Sequence, residues 1–118
     1  MNWYVVKAVF RIVCGEGNHT HQFDEQLRLV RASTNVEALN KATGICKSEQ
    51  ASFRNHNNDL VVWQFIDITE MYNLNELDDG MEICSRINEI HEAGNYIDLI
   101  KHKAASMRAG LLAKMEHV

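Results

Sequence analysis

The sequence predicts an α+β fold, a two-layer sandwich in which a mainly antiparallel β-sheet carries two helices on one face. Three observations predict it. Apolar and polar residues alternate through Trp3–Cys14 and again through Phe23–Ala32, across a turn-forming Gly15-Glu16-Gly17-Asn18 cluster. Two other stretches instead space their apolar residues by three and four. Finally, 118 residues with 46% hydrophobic composition suit one domain, residues 1–118, and are too short for two separate cores.

In the first strand Tyr4, Val6, Ala8, Phe10, Ile12 and Cys14 make one apolar face, and Lys7 and Arg11 mark the other. The second strand puts Phe23, Leu27 and Leu29 on one side and Asp24, Gln26 and Arg28 on the opposite side. The two read as a β-hairpin. Thr34-Asn35-Val36-Glu37 fits a capping box, a hydroxyl and a carboxylate three residues apart that satisfy free amides at a helix start. The helix that follows carries Val36, Leu39, Ala42 and Cys46 as its stripe, and Gly44 is expected to weaken it or end it early. Ala51–Arg54 reads as a short strand before the turn Asn55–Asp59, and Leu60–Ile68 as a strand dense in β-branched and aromatic residues. After Asp78-Asp79-Gly80, Met81–Ile87 is expected to form a last strand. Asn95 is expected to cap a helix to about Lys114, with the stripe Ile97, Ile100, Ala104, Met107 and Leu111 and with Asp98 in its first turn. The predicted order is β-β-α-β-β-β-α.

Composition excludes several function classes. Sixteen Asp and Glu against twelve Lys and Arg leave a formal charge of −4, which disfavours binding to nucleic acid or an anionic membrane. No apolar run approaches the ~18–20 residues needed to span a bilayer, and the apolar start, interrupted by Lys7 and Arg11, reads as a strand and not a leader. Cys14, Cys46 and Cys84 are odd in number with no C-x-x-C, so they read as free thiols of a cytoplasmic protein. Nucleophile elbows and phosphate-binding glycine loops are missing. His19 and His21 with Glu25 are the nearest approach to a ligand set, yet they sit in a hairpin loop without a third ligand set by spacing; the expectation is no metal and no cofactor. His56, His91, His102 and His117 are scattered.

Two strands break the one-sided pattern of a two-layer sheet. Opposite Phe10, the first strand still shows Trp3, Val5, Val9 and Val13, while the strand from Leu60 shows Leu60, Val62, Ile66 and Ile68 on one face and Val61, Trp63 and Phe65 on the other. Either these are central strands under long polar neighbours, or the second face is an interface. Large exposed apolar patches mark contacts, and a two-fold axis lets one patch cover itself. The expected function is therefore non-catalytic protein–protein contact, as a homodimer through the second sheet face, with another protein as a further possible partner. The alternative is a small-molecule-binding domain or enzyme with a pocket around Trp63 and Phe65. Trp3, Val9, Glu25, Trp63, Phe65 and Arg86 are the candidate binding residues; no residue is assigned a catalytic role.

The stretches Trp3–Lys7, Val9–Ile12, Phe23–Leu29, Glu37–Ala42, Trp63–Phe65, Asp79–Ile83 and Ser85–Ile87 resemble a family of small, standalone bacterial proteins classed as a domain of unknown function. The resemblance implies a bacterial, cytosolic protein and brings no activity, cofactor or catalytic residue with it.

Overall fold

A computed structural model describes residues 1–116. The chain divides into two compact units, Met1–Ser85 and Arg86–Val118. The first unit holds β1 (Asn2–Cys14), β2 (Gln22–Ala32), α1 (Asn35–Ser48), β3 (Ala51–Arg54) and β4 (Leu60–Asn75). The strands form one antiparallel sheet of order β2-β1-β4-β3. The second unit holds α2 (Ala93–Glu116), so the class is α+β with a four-stranded antiparallel sheet and two helices.

β1 lies between β2 and β4 and is hydrogen-bonded along both sides, which is why its sequence is apolar in both directions. Gly15 and Gly17 close the β1–β2 hairpin with φ of +61° and +81°, a region that residues with a Cβ rarely enter. Half of the capping box forms: Glu37 N–H donates to the N-cap Thr34 Oγ1 at 3.1 Å, while Glu37 Oε2 reaches one residue further back and accepts from Ser33 N–H at 3.2 Å. α1 runs through Gly44 to Ser48, so the glycine does not end it. It turns its small residues Ala38, Ala42 and Cys46 to the sheet and leaves Val36 and Leu39 exposed, one step round from the expected stripe. Small residues on the helix meet large ones on the sheet. Tyr4 and Val6 pack with Ala38 and Ala42, while Phe10 and Phe65 pack with Cys46, their ring centroids 5.5 Å apart.

β4 runs to Asn75, well past the expected Ile68. Its pairing with β1 slips at three places, leaving Ile66, Thr69 and Leu74 as extra residues. Each such bulge inverts the alternation after it, so a period-two reading loses the strand where the first one begins. The Asp78–Gly80 turn forms, with Met81 N–H donating to Asp78 O at 3.3 Å and Gly80 at φ +80°. The expected strand over Met81–Ile87 does not follow it, and the observed order is β-β-α-β-β-α. The reason lies upstream: Asn75 enters the left-handed region at φ 59° and ends β4 before the turn, so no strand leads into a hairpin there.

Within the second unit, α2 begins before Asn95, because Tyr96 N–H already bonds Glu92 O at 3.1 Å. Asn95 is thus a residue of the first turn and not the cap, and that turn contains no acidic residue. Lys114 sits in the last turn, and His117 lies outside the described residues. No described helix is long and apolar enough to cross a membrane.

Phe10, 2% exposed, is the deepest large side chain over Cys46. Phe10→Ala is expected to cost the first unit about 3–5 kcal/mol, a large fraction of the stability of a small domain. Urea unfolding followed by tryptophan fluorescence checks this, since Trp3 and Trp63 both lie in that unit.

Candidate functional site

Pairing register decides which side chains share a face. On the face turned to α1 stand the even residues of β1 with Val30, Ala32, Trp63, Phe65 and Ile68. On the other face stand the odd residues of β1, in cross-strand rows with β2 and β4. Leu29 and Tyr72 flank Val5, Leu27 and Glu70 flank Lys7, Glu25 and Asp67 flank Val9, and Phe23 and Gln64 flank Arg11. Val5 is only 3% exposed between its neighbours, whereas Phe23 and Leu27 are 57% and Leu29 48% exposed. Lys7 Nζ lies 3.5 Å from Glu25 Oε2, and the Arg31 guanidinium lies 5.7 Å from the Trp3 ring centroid. The second face is therefore an apolar stripe along β2 set among charges of both signs.

Of the expected binding residues, Trp3, Val9 and Glu25 come together on this second face. Trp63 and Phe65 stand on the opposite face, in the cluster with Phe10 and Cys46. The structure thus separates residues that the sequence reading grouped, because Trp63 pairs with Ile12 and Phe65 with Phe10, both even residues of β1. Arg86 belongs to the second unit. A shallow hollow of about 350 Å³ opens beside Trp63, lined by Gln50, Ala51, Ser52, Val62 and Gln64, and Phe65 takes no part in it. Phe23, Leu27 and Leu29 are the prominent residues that the reading left out of its site. Their shared side was visible in the alternation of β2; which side meets α1 depends on the register with β1.

The polar side chains gathered in the first unit are turned on one another. Arg28 projects to the α1 face, and both its terminal nitrogens engage the Glu49 carboxylate just past α1, Nη2 to Oε1 at 2.8 Å. That hydrogen-bonded pair holds the Glu49 carboxyl below the usual carboxylate range and raises Arg28 further. Burial pushes the Cys46 thiol up, making it a poor nucleophile under α1. His19 Nε2 accepts the Cys14 N–H at 3.0 Å, so Nδ1 carries the proton and donates it to Thr20 O at 2.7 Å. Both ring nitrogens of His19 are thus engaged by backbone, and among the described residues no group of three His, Cys, Asp or Glu is placed to hold a metal.

The backbone of β2 has a direction as well. Cys14 N–H points to the β2 side, into His19, and Gly15 N–H points to the β4 side, to Leu60 O at 2.8 Å. Alternation then sends the even residues of β1 to β2 and the odd ones to β4. The partners of the even residues, from Gln22 to Ala32, bond inward, so Phe23, Glu25, Leu27 and Leu29 aim their amides and carbonyls off the sheet. Arg31 does the same, and its carbonyl takes the Lys41 ammonium at 2.8 Å.

A carboxyl held low by folding stabilises the native state above its unfolded pKa, and that contribution disappears as pH falls through the folded value. Glu49→Gln is accordingly expected to lower the Tm by a few degrees at neutral pH. The difference from wild type should close once pH drops below the usual carboxylate range, about 4. Paired thermal melts at neutral and acid pH measure it.

Neither a curated protein nor a solved structure matches the chain. A family model does: it spans residues 3–85, the β1–β4 sheet with α1, and ends where the first compact unit ends. On that match the chain belongs to the family described as Domain of unknown function (DUF4288).

Proposed function

We propose that this is a non-catalytic contact protein of the bacterial cytoplasm that works as a homodimer through the second face of its sheet, at the β2 side. The first unit serves as a two-layer module, with α1 covering one face and the other face offered to a second copy. One observation carries the reading: Leu27 and Leu29, and Phe23 on the far side of Glu25, stand exposed on that face. Exposed apolar side chains gathered on one sheet face mark a contact surface. The charges around them, Lys7, Arg11 and Arg31 against Glu25, Asp67 and Glu70, are of both signs, which suits a patch that must complement itself about a two-fold axis. The free state of all three cysteines supports a reducing compartment.

Light scattering of the purified chain over a concentration series tests the reading. The wild type is expected at twice the mass of the chain. Leu27→Asp, which adds a charge to an already exposed side chain, is expected to give a folded monomer by scattering and circular dichroism. A wild type that stays at 13.5 kDa throughout the series overturns the reading.

A further inference from the structure

The two open edges of the sheet are built differently. β4 pairs with β3 only over Leu60–Trp63, so its outer edge from Gln64 to Asn75 has no strand beside it among the described residues. That edge is spoiled for pairing by its own residues. The bulges at Ile66, Thr69 and Leu74 break its line, Phe65 N–H is taken by Gln50 Oε1 at 3.0 Å, and Ile68 N–H by Asp67 Oδ1 at 2.8 Å. Bulges and local capping are how sheet proteins keep edges from pairing.

β2 has none of these devices between Phe23 and Leu29. Its register with β1 runs without a slip from Asn2 opposite Ala32 to Ile12 opposite Gln22. Among the described residues only the Arg31 carbonyl, at its far end, is covered, by Lys41. A straight, uncapped edge with every second backbone group aimed outward is a template for another strand.

We infer that β2 pairs antiparallel with β2 of a second copy, joining two four-stranded sheets into one of eight strands about a two-fold axis at Gln26. This rests on the self-association proposed above and sets its join at the β2 edge bordering that face, where Phe23 and Leu29 of the two copies meet. The register follows from the side chains. Outward backbone groups must meet outward groups, so odd residues face odd ones and even face even. With Gln26 opposite the partner's Gln26, Asp24 lies opposite the partner's Arg28, Glu25 opposite the partner's Leu27 and Phe23 opposite the partner's Leu29, and symmetry repeats each pair. Both opposite charges and apolar pairs across strands stabilise a sheet. Moving the axis one residue toward the N-terminus sets Glu25 against the partner's Glu25. Moving it one residue the other way brings Leu27 onto the partner's Leu27 but sets Phe23 against the partner's Arg31 and Asp24 against the partner's Val30, losing both the charge pair and the Phe23–Leu29 pair. Asp24 and Arg28 stand on the α1 face, where Gln26 already bridges them and Arg28 holds Glu49, so the partner's charges extend that ladder, and Phe23 and Leu29 stand on the second face as an apolar pair.

Site-specific cross-linking tests the join. In a Cys84→Ser background, which removes the exposed thiol, Gln26→Cys places two thiols on the axis in a non-hydrogen-bonded pair, within disulfide reach. Gln22→Cys places its pair about 27 Å apart, eight residue rises along the strands. Under mild oxidation of dilute protein, Gln26→Cys is expected to form covalent dimer about tenfold faster than Gln22→Cys. Without any substitution, hydrogen exchange at the amides of Phe23, Glu25, Leu27 and Leu29 is expected to slow as protein concentration rises. A dimer by light scattering whose Gln26→Cys and Gln22→Cys cross-link alike, and whose β2 amides exchange at one rate at all concentrations, overturns the edge pairing and leaves self-association standing. A monomer at all concentrations overturns both.

Discussion

The central position of β1 is the constraint on which the first unit depends. A strand bonded along both sides cannot shed its backbone to water, and here both rows of its side chains are also drawn out of solvent: Tyr4, Val6, Ala8 and Phe10 under α1, and Val5 between Leu29 and Tyr72. With a side-chain period of two, one residue of slip would send the whole α1-facing set to the wrong side. The hairpin closed by Gly15 and Gly17 sets that register on the β2 side. Gly15 sets it again on the β4 side, through its bond to Leu60 O.

α1 closes one face by being thin. Ala38, Ala42 and Cys46 let its backbone approach Tyr4 and Phe10, so large side chains supplied by the sheet fill the space between the layers. The Arg28–Glu49 pair ties the end of this helix to β2 at the rim, where exposure keeps its contribution small. What remains is polarised: a packed face in which Trp63 and Phe65 are structural, and a second face whose apolar residues crowd toward β2. The unequal treatment of the two sheet edges runs the same way. Bulges and side-chain acceptors close off β4, and the face and the edge that stay open meet at one strand.

Much of this was legible in the residues. Alternation locates β1 and β2, the Thr34–Glu37 box locates the start of α1, and the doubly apolar sequence of β1 leaves open a central strand or an interface, between which the pairing on both its sides shows the central strand. Legibility failed where a local rule met a non-local cause. The bulges of β4 reset its alternation, so its end was placed too early and an extra strand was expected over Met81–Ile87. Asn95 is a good cap by type, yet the backbone had already turned helical at Ala93. Trp63 and Phe65 are apolar like Trp3 and Val9, and nothing in composition says which rows of two strands distant in sequence lie on the same side.

By itself the sequence determined β1, β2, the start of α1 and the α+β class, because periodicity and capping are properties of neighbouring residues. Tertiary structure alone decided which apolar surface stays exposed. The register of β1 against β2 and β4 turned Trp63 inward and Leu27 outward, and it aimed the backbone of β2 into open space. Register is set by pairing between strands far apart in the chain, so no window along the sequence contains it.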